Sequence, residues 1–222
     1  MDQIRLIEVK EDVMQDNVKL ADSVRARMKS EKTFLLNLMS SPGAGKTTLL
    51  VKTIEMMKQK YRMAVIEADI DSIVDAETIQ SKGVTAVQLR TGGFCHLDAT
   101  MTLQGVDALS LKDLDLVIIE NVGNLVCPAE FDTGAVKNAM ILSVPEGDDK
   151  PLKYPLMFSI CDILIISKID YLSISDFNVQ AVHERVKRLN PDIRIVEVCA
   201  KTGQGMEGWT EWLAGQVDAF IK

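Results

Sequence analysis

Ser40-Ser41-Pro42-Gly43-Ala44-Gly45-Lys46-Thr47-Thr48 is the stretch that decides the fold. An apolar run, Thr33 to Met39, precedes it, and helix-forming residues follow from Leu49. That is the strand–loop–helix setting a phosphate-binding loop requires. Glycines let successive backbone N–H groups turn inward onto phosphate oxygens, and the helix N-terminus adds a field that favours an anion. On this reading Gly43, Ala44, Gly45, Lys46, Thr47 and Thr48 bind nucleotide. Lys46 reaches the β- and γ-phosphates as a catalytic group, and Thr47 puts its hydroxyl on Mg²⁺. The first glycine of the G-x-x-x-x-G-K-[ST] pattern is Ser40 here, while Gly43 adds a glycine two residues before Gly45. A glycine-rich turn without a ligand would leave Lys46-Thr47-Thr48 at the helix start unexplained.

Working outward, strands and helices alternate. Arg62–Ala68, Val84–Leu89, Leu114–Glu120, Asn138–Val144, Asp162–Ile166 and Ile193–Val198 read as strands. Helices are expected from Leu49 to about Lys60 and over Val74–Ser81, Leu97–Ala108, Phe177–Leu189 and Met206–Ile221. The pattern predicts an α/β fold, a single P-loop NTPase domain over residues 33–222 with a largely parallel sheet covered by helices on both faces. Residues 1–32 are expected to form an amphipathic N-terminal helix packed on that domain. Val9, Val13, Val18, Leu20 and Val24 are its spaced apolar positions, and Arg25 to Lys32 its solvated end.

The 222 residues suffice for one full α/β domain, and 47% hydrophobic content marks a globular chain. A net charge of −7 and a pI near 5.0 exclude a general nucleic-acid binder, whose footprint would be basic. No uncharged apolar run is long enough to span a membrane. Met1-Asp2-Gln3-Ile4-Arg5 does not read as a signal peptide, so the cytoplasm is the expected compartment. Cysteines at 95, 127, 161 and 199 do not resemble a disulfide framework. In a reducing compartment they are buried thiols, metal ligands or nucleophiles.

Parallel α/β sheets bind ligands beyond the carboxyl ends of their strands. Asp69 and Glu120 lie at two such ends and are candidate catalytic and Mg²⁺-holding acids, as the Walker-B carboxylate is. Asp71, Asp75 and Glu77 share the acidic segment after Asp69, so any of them could serve as second metal ligand or water-positioning group. Asp69 is favoured, then Asp75. Ser167-Lys168-Ile169-Asp170 resembles the Asn-Lys-x-Asp motif with which GTPases read guanine. A carboxylate at Asp170 accepts from the N1–H and exocyclic amine of guanine but meets an acceptor in adenine. The stem of Lys168 can pack over the base, and Ser167 in place of Asn is expected to loosen the loop. Cys199-Ala200-Lys201 resembles the element that gives a backbone N–H to guanine O6. Lys168, Asp170, Ala200 and Lys201 are therefore expected to bind the base, favouring GTP over ATP.

Gly93-Phe94-Cys95-His96-Leu97-Asp98 and Val126-Cys127-Pro128 hold two of four cysteines and one of two histidines. Two thiolates and an imidazole suit Ni²⁺ or Zn²⁺. One chain supplies only three ligands, so a fourth comes from water or from a second copy across a two-fold axis. The competing reading makes Cys95 and Cys127 small buried hydrophobes and His96 a helix cap. Cys161 and Cys199 read as core thiols, and His183 as structural or solvent-facing.

Taken together, the phosphate loop, Cys95-His96-Leu97-Asp98-Ala99, Glu120-Asn121-Val122-Gly123-Asn124-Leu125-Val126-Cys127-Pro128 and Glu146-Gly147-Asp148-Asp149-Lys150-Pro151 resemble the HypB family of hydrogenase maturation factors. The resemblance covers the chain from about Thr33 to its end. It implies a GTPase cycling between GTP and GDP, homodimeric when GTP is bound; Mg²⁺ dependence is expected from the phosphate loop and the strand-end acids. It implies a task of nickel delivery to the large subunit of a [NiFe] hydrogenase, with a small nickel-binding maturation partner. It places Cys95, His96 and Cys127 at the family's metal site. Residues 1–30 contain no Cys or His, so the extra N-terminal nickel motifs of some members are not expected. No in-chain arginine finger is evident, in keeping with slow turnover. Three other readings compete: an accessory GTPase for another nickel enzyme such as urease, a small-molecule P-loop kinase, and a non-catalytic zinc-stabilised interaction module.

Overall fold

The structure, a computed structural model, describes residues 9–69 and 74–222, with side chains from Met14 onward. Seven strands alternate with helices, as the hydrophobic runs predict. The first half of the chain contains α1 (Val9–Ser30), β1 (Phe34–Ser40), α2 (Lys46–Met57), β2 (Met63–Asp69), α3 (Val74–Gln80), β3 (Thr85–Arg90) and α4 (Ala99–Asp107). Then come β4 (Leu116–Glu120), α5 (Cys127–Glu130), β5 (Lys137–Ser143), α6 (Lys150–Lys153) and α7 (Pro155–Ile160). The chain closes with β6 (Ile163–Ser167), α8 (Val179–Leu189), β7 (Arg194–Glu197) and α9 (Met206–Ile221). All pairings are parallel and the strand order is β3-β2-β4-β1-β5-β6-β7. β1 thus lies centrally between β4 and β5, with the phosphate loop at its carboxyl end. That is the edge at which open parallel sheets bind ligands.

Successive side chains of a strand point to opposite faces, and here both faces are buried. Leu36, Leu38, Val65 and Ile118 join one core, which is completed by Leu50 and Ile54 of α2 and by Trp209 and Leu213 of α9. Leu35, Ile66, Val117 and Ile119 join the other, under Val24 and Met28 of α1 and Val106 of α4. A third cluster fills the β5–β6 end, where Met157 and Phe158 of α7 meet Val182 and Val186 of α8. Cys161 and Cys199 are buried, as expected of core thiols. Among the described residues no helix is long and apolar enough to cross a membrane.

The N-terminal helix is present and packed, but on a different stripe from the one expected. Asn17, Ala21, Val24 and Met28 are buried, whereas Val18 is exposed. The side chains of Val9 and Val13 lie outside the described residues. The buried set recurs at i, i+4, i+7 and i+11, one helical face, and a polar residue, Asn17, occupies one of its positions. Nor is Arg25 merely solvated. Its guanidinium donates to both carboxylate oxygens of Asp132, at 2.8 and 2.5 Å, and Arg27 pairs with Asp107. The helix after the phosphate loop ends at Met57 rather than Lys60. The short helices α5, α6 and α7 were not expected from periodicity; each has Pro at its N-terminal turn.

Candidate functional site

The phosphate loop forms as its glycines require. Gly45, at φ 101°, stands in the left-handed region immediately before α2, a conformation other residues adopt only under strain. Lys46 Nζ donates to the Ser40 hydroxyl at 3.1 Å, so the serine that replaces the pattern's first glycine holds the lysine at the loop. Thr47 Oγ1 donates to Glu120 Oε1 at 3.0 Å. Asp69, Asp75 and Glu120 line one cleft with Lys46, Thr47 and Thr48. Asp71 lies outside the described residues.

One acid beside this cleft is absent from the sequence reading. Glu67, on β2, is buried, and carboxylate oxygens of Glu67, Asp75 and Glu120 all lie within 4.8 Å of one another. Asp69 lines the same cleft but is not one of these three. Burial pushes the Glu67 carboxyl upward, and the neighbouring Glu120 pushes it further. Glu120 is also raised by burial, while its hydrogen bond with Glu67 and the charge of Lys46 act the other way. Glu67 Oε2 and Glu120 Oε2 are both buried without a hydrogen-bond partner. Clustered acids with orphaned oxygens beside a phosphate loop fit a hard divalent cation such as Mg²⁺. The signal available in sequence was one carboxylate inside an apolar run, Ala64-Val65-Ile66-Glu67-Ala68.

A second cleft adjoins the first and is lined by Ala44, Gly45, Thr48, Ser167, Lys168, Asp170, Cys199, Ala200 and Lys201. The residues expected to read a base are thus gathered beside the phosphate loop. Ser167 does not loosen this corner. Its Oγ donates to the Ala44 carbonyl at 2.9 Å, and Lys168 Nζ donates to the Gly43 carbonyl at 2.7 Å. A short hydroxyl reaches the phosphate loop directly.

Cys95, His96 and Cys127 also converge. One ligand atom of each lies within 4.8 Å of the others, and the Cys95 and Cys127 sulfurs are 3.0 Å apart. Burial holds the His96 imidazole below its ordinary pKa, which keeps it neutral and able to ligate. The Cys127 thiol is raised, chiefly by its hydrogen bond with Cys95. His96 does not cap a helix; its ring stacks on Phe131 with centroids 4.0 Å apart. Asp98 caps α4 instead, accepting from Met101 N–H at 2.8 Å.

Asparagines to which the sequence reading assigns no individual role join the two sites. The Asn124 N–H donates to the Ser40 carbonyl at 2.8 Å, its amide donates to the Cys95 carbonyl at 3.4 Å, and its Oδ1 accepts from Val126 N–H at 2.8 Å. Gly123 presses on the phosphate loop so closely that a Cβ there would lie 2.9 Å from Pro42 N. Deeper in, Asn121 donates to Asn37 at 3.0 Å and accepts from Leu97 N–H at 3.2 Å, and Asn37 donates to Asn138 at 3.1 Å. Asn37 interrupts the apolar run Phe34–Met39, which was its signal.

The chain is similar to known proteins over most of its length. The family model described as CobW/HypB/UreG, nucleotide-binding domain, matches residues 34–197. The hydrogenase maturation factor HypB of Azotobacter chroococcum mcd 1 is 46% identical over 222 residues, covering 100% of this chain and 73% of that protein. The hydrogenase/urease maturation factor HypB of Helicobacter pylori strain J99 is 40% identical, covering 93% of this chain and 86% of the relative. The crystal structure of HypB from Helicobacter pylori in complex with nickel superimposes with a TM-score of 0.88 at 39% identity, covering 93% of this chain and 97% of that one. The shared P-loop fold and near full-length similarity give one conclusion: the chain belongs to the HypB family of hydrogenase maturation factors.

Proposed function

We propose that this chain is a GTP-hydrolysing metallochaperone whose nucleotide state and dimerisation govern nickel delivery to a [NiFe] hydrogenase. One observation carries the reading: Asn124 bonds the phosphate loop through its backbone and the Cys95 and Cys127 loops through its side chain. A movement of Ser40 when the γ-phosphate binds or leaves is transmitted through one residue to the metal ligands. Nucleotide-linked metal affinity requires a contact that differs between the two nucleotide states, and Asn124 is placed to supply it.

The reaction is phosphoryl transfer from GTP to water. Lys46 leaves the Ser40 hydroxyl for the phosphates and neutralises charge growing on the β–γ bridge. Thr47 and Glu120, with Asp69 or Asp75, would hold Mg²⁺, which would supply electrostatic stabilisation of the phosphates. Among the described residues no arginine lines the phosphate cleft, consistent with slow intrinsic turnover. Asp170 selects guanine, with Ala200 and Lys201 at the base's other edge. The cargo, Ni²⁺ or Zn²⁺, takes three ligands from one chain. Phe94 and Val126, large apolar residues left exposed beside them, suit cover by a second copy when GTP is bound. A small nickel-binding partner and the hydrogenase large subunit are the proposed donor and acceptor.

A second reading, service to urease, is favoured by the name of the Helicobacter pylori relative, a hydrogenase/urease maturation factor. The shared core of both readings is tested by phosphate release with GTP or ATP, each with and without Mg²⁺. Slow, Mg²⁺-dependent release from GTP alone is expected. Equal use of ATP contradicts it.

A further inference from the structure

The two loops that carry the metal ligands are 32 residues apart in sequence and touch through the Cys95–Cys127 sulfurs, through Asn121 and Asn124, and through His96 stacked on Phe131. Behind them stands α1. Asn17, 9% exposed, makes a pair of contacts there. Its Oδ1 accepts the N–H of Ala99 at 2.9 Å, and its Nδ2 donates to the carbonyl of Asp132 at 2.9 Å. Ala99 opens α4, three residues after His96. Asp132 follows Phe131, the ring on which His96 stacks. A single amide, donating on one side and accepting on the other, therefore spans the Cys95–His96 segment and the segment after Cys127. No hydrocarbon can replace it without orphaning a buried backbone group.

From this geometry we infer that Asn17 is a positioning residue for the metal site: through Ala99 and Asp132 it fixes the separation of the two ligand-bearing loops. It touches neither the cation nor the nucleotide. Outer partners that orient metal ligands change affinity about 10–100-fold when removed, and Asn17 acts at one further remove, through backbone. The inference rests on the metal reading of Cys95, His96 and Cys127, and its test separates the two.

The test compares wild type with Asn17→Ala, Asn17→Ser and Met28→Ala. Met28 is buried at the far end of α1, so Met28→Ala loosens the helix without touching either loop. Ni²⁺ and Zn²⁺ affinities come from competition with a chromophoric chelator, GDP affinity from a fluorescent analogue, and stability from thermal melting. A trivalent aryl arsenic oxide serves as a metal-independent gauge, because it closes on two adjacent thiols, forming two As–S bonds and releasing water. Asn17→Ala is expected to weaken metal binding by about 10-fold, the lower end of the range for directly bonded outer partners, and to slow arsenical capture, with GDP affinity held within about twofold. Asn17→Ser, whose hydroxyl serves at most one partner, falls between. Met28→Ala lowers the melting temperature yet keeps both metal affinity and arsenical capture. Unchanged metal affinity in Asn17→Ala overturns the inference, as does an equal loss in Met28→Ala, which would mark general loosening. Should wild type bind neither cation, the metal reading fails, and the arsenical rates alone still decide whether Asn17 sets the spacing.

Discussion

The phosphate loop and the cysteine–histidine cluster share one rim of the sheet but are held by different means. The first is a single contiguous segment, Ser40–Thr48, shaped by its own backbone and by the start of α2. The second is assembled from two loops, closed by an asparagine behind each joint: Asn124 toward the phosphate loop and Asn17 toward α1. A site made of consecutive residues takes its shape first from local conformational preference, and here Asn124, Ser167 and Lys168 brace it from outside. A site made of distant residues needs tertiary contacts to bring its ligands into register, and those contacts are where coupling can enter.

The largest expected effect falls on the contiguous site. Lys46→Ala should cut GTP hydrolysis by at least about 100-fold, since a charge aimed at the transition state is lost; phosphate release measures it. A loss below tenfold would mean that Lys46 is not the group neutralising the phosphates. Next comes the assembled site. Cys127→Ser exchanges a soft thiolate for a hydroxyl and should weaken Ni²⁺ or Zn²⁺ by about 100-fold in chelator competition. If affinity holds, the cation sits elsewhere and the contrast between the sites dissolves.

A smaller effect sharpens the comparison at the base corner. Ser167→Ala removes the hydroxyl that donates to the Ala44 carbonyl. A net hydrogen bond contributes about 1 kcal/mol, so GDP affinity should fall by roughly fivefold, read by fluorescence titration. No change would show that the serine does not hold the phosphate loop.

The smallest effect concerns the helix behind the cluster. Burial alone pushes the Asp132 carboxyl upward, but its bonds with Arg25 and the Gly134 N–H more than offset this and hold it below its usual range. A carboxyl depressed by folding contributes stability that is present above its unfolded value, near pH 4, and is lost as pH falls through the folded one. The pair is over one-third exposed, so the contribution stays below about 1 kcal/mol. Hydrogen exchange in α1 should be flat from pH 7 to 5, after correction for intrinsic rates, and accelerate below about pH 4. Acceleration already at pH 6 would point to another group.

The same contrast explains what could be read from sequence. The phosphate loop, the strand-end acids and the clustering of Lys168, Asp170, Ala200 and Lys201 beside the loop are legible because each follows the end of a strand. The central strands were legible because both faces of a parallel sheet are buried, giving long apolar runs. Glu67 and Asn37 were passed over because an apolar run hides a single polar member whose partner lies on another strand. The buried stripe of α1 was misplaced onto Val18 because its true register includes a polar residue. Asn17 looks solvent-facing until Ala99 and Asp132 are brought to it. Ser167 was judged by the side chain it replaces, whereas its role is set by the distance to Ala44.

The central claim is that nucleotide state changes the grip of Cys95, His96 and Cys127 on a transition-metal ion. The most direct measurement is Ni²⁺ affinity with GDP and with a non-hydrolysable GTP analogue, read at protein concentrations spanning monomer and dimer. The account predicts a difference of about 5–150-fold between the two states, the ordinary range of coupling between sites. Equal affinities at every concentration would contradict it.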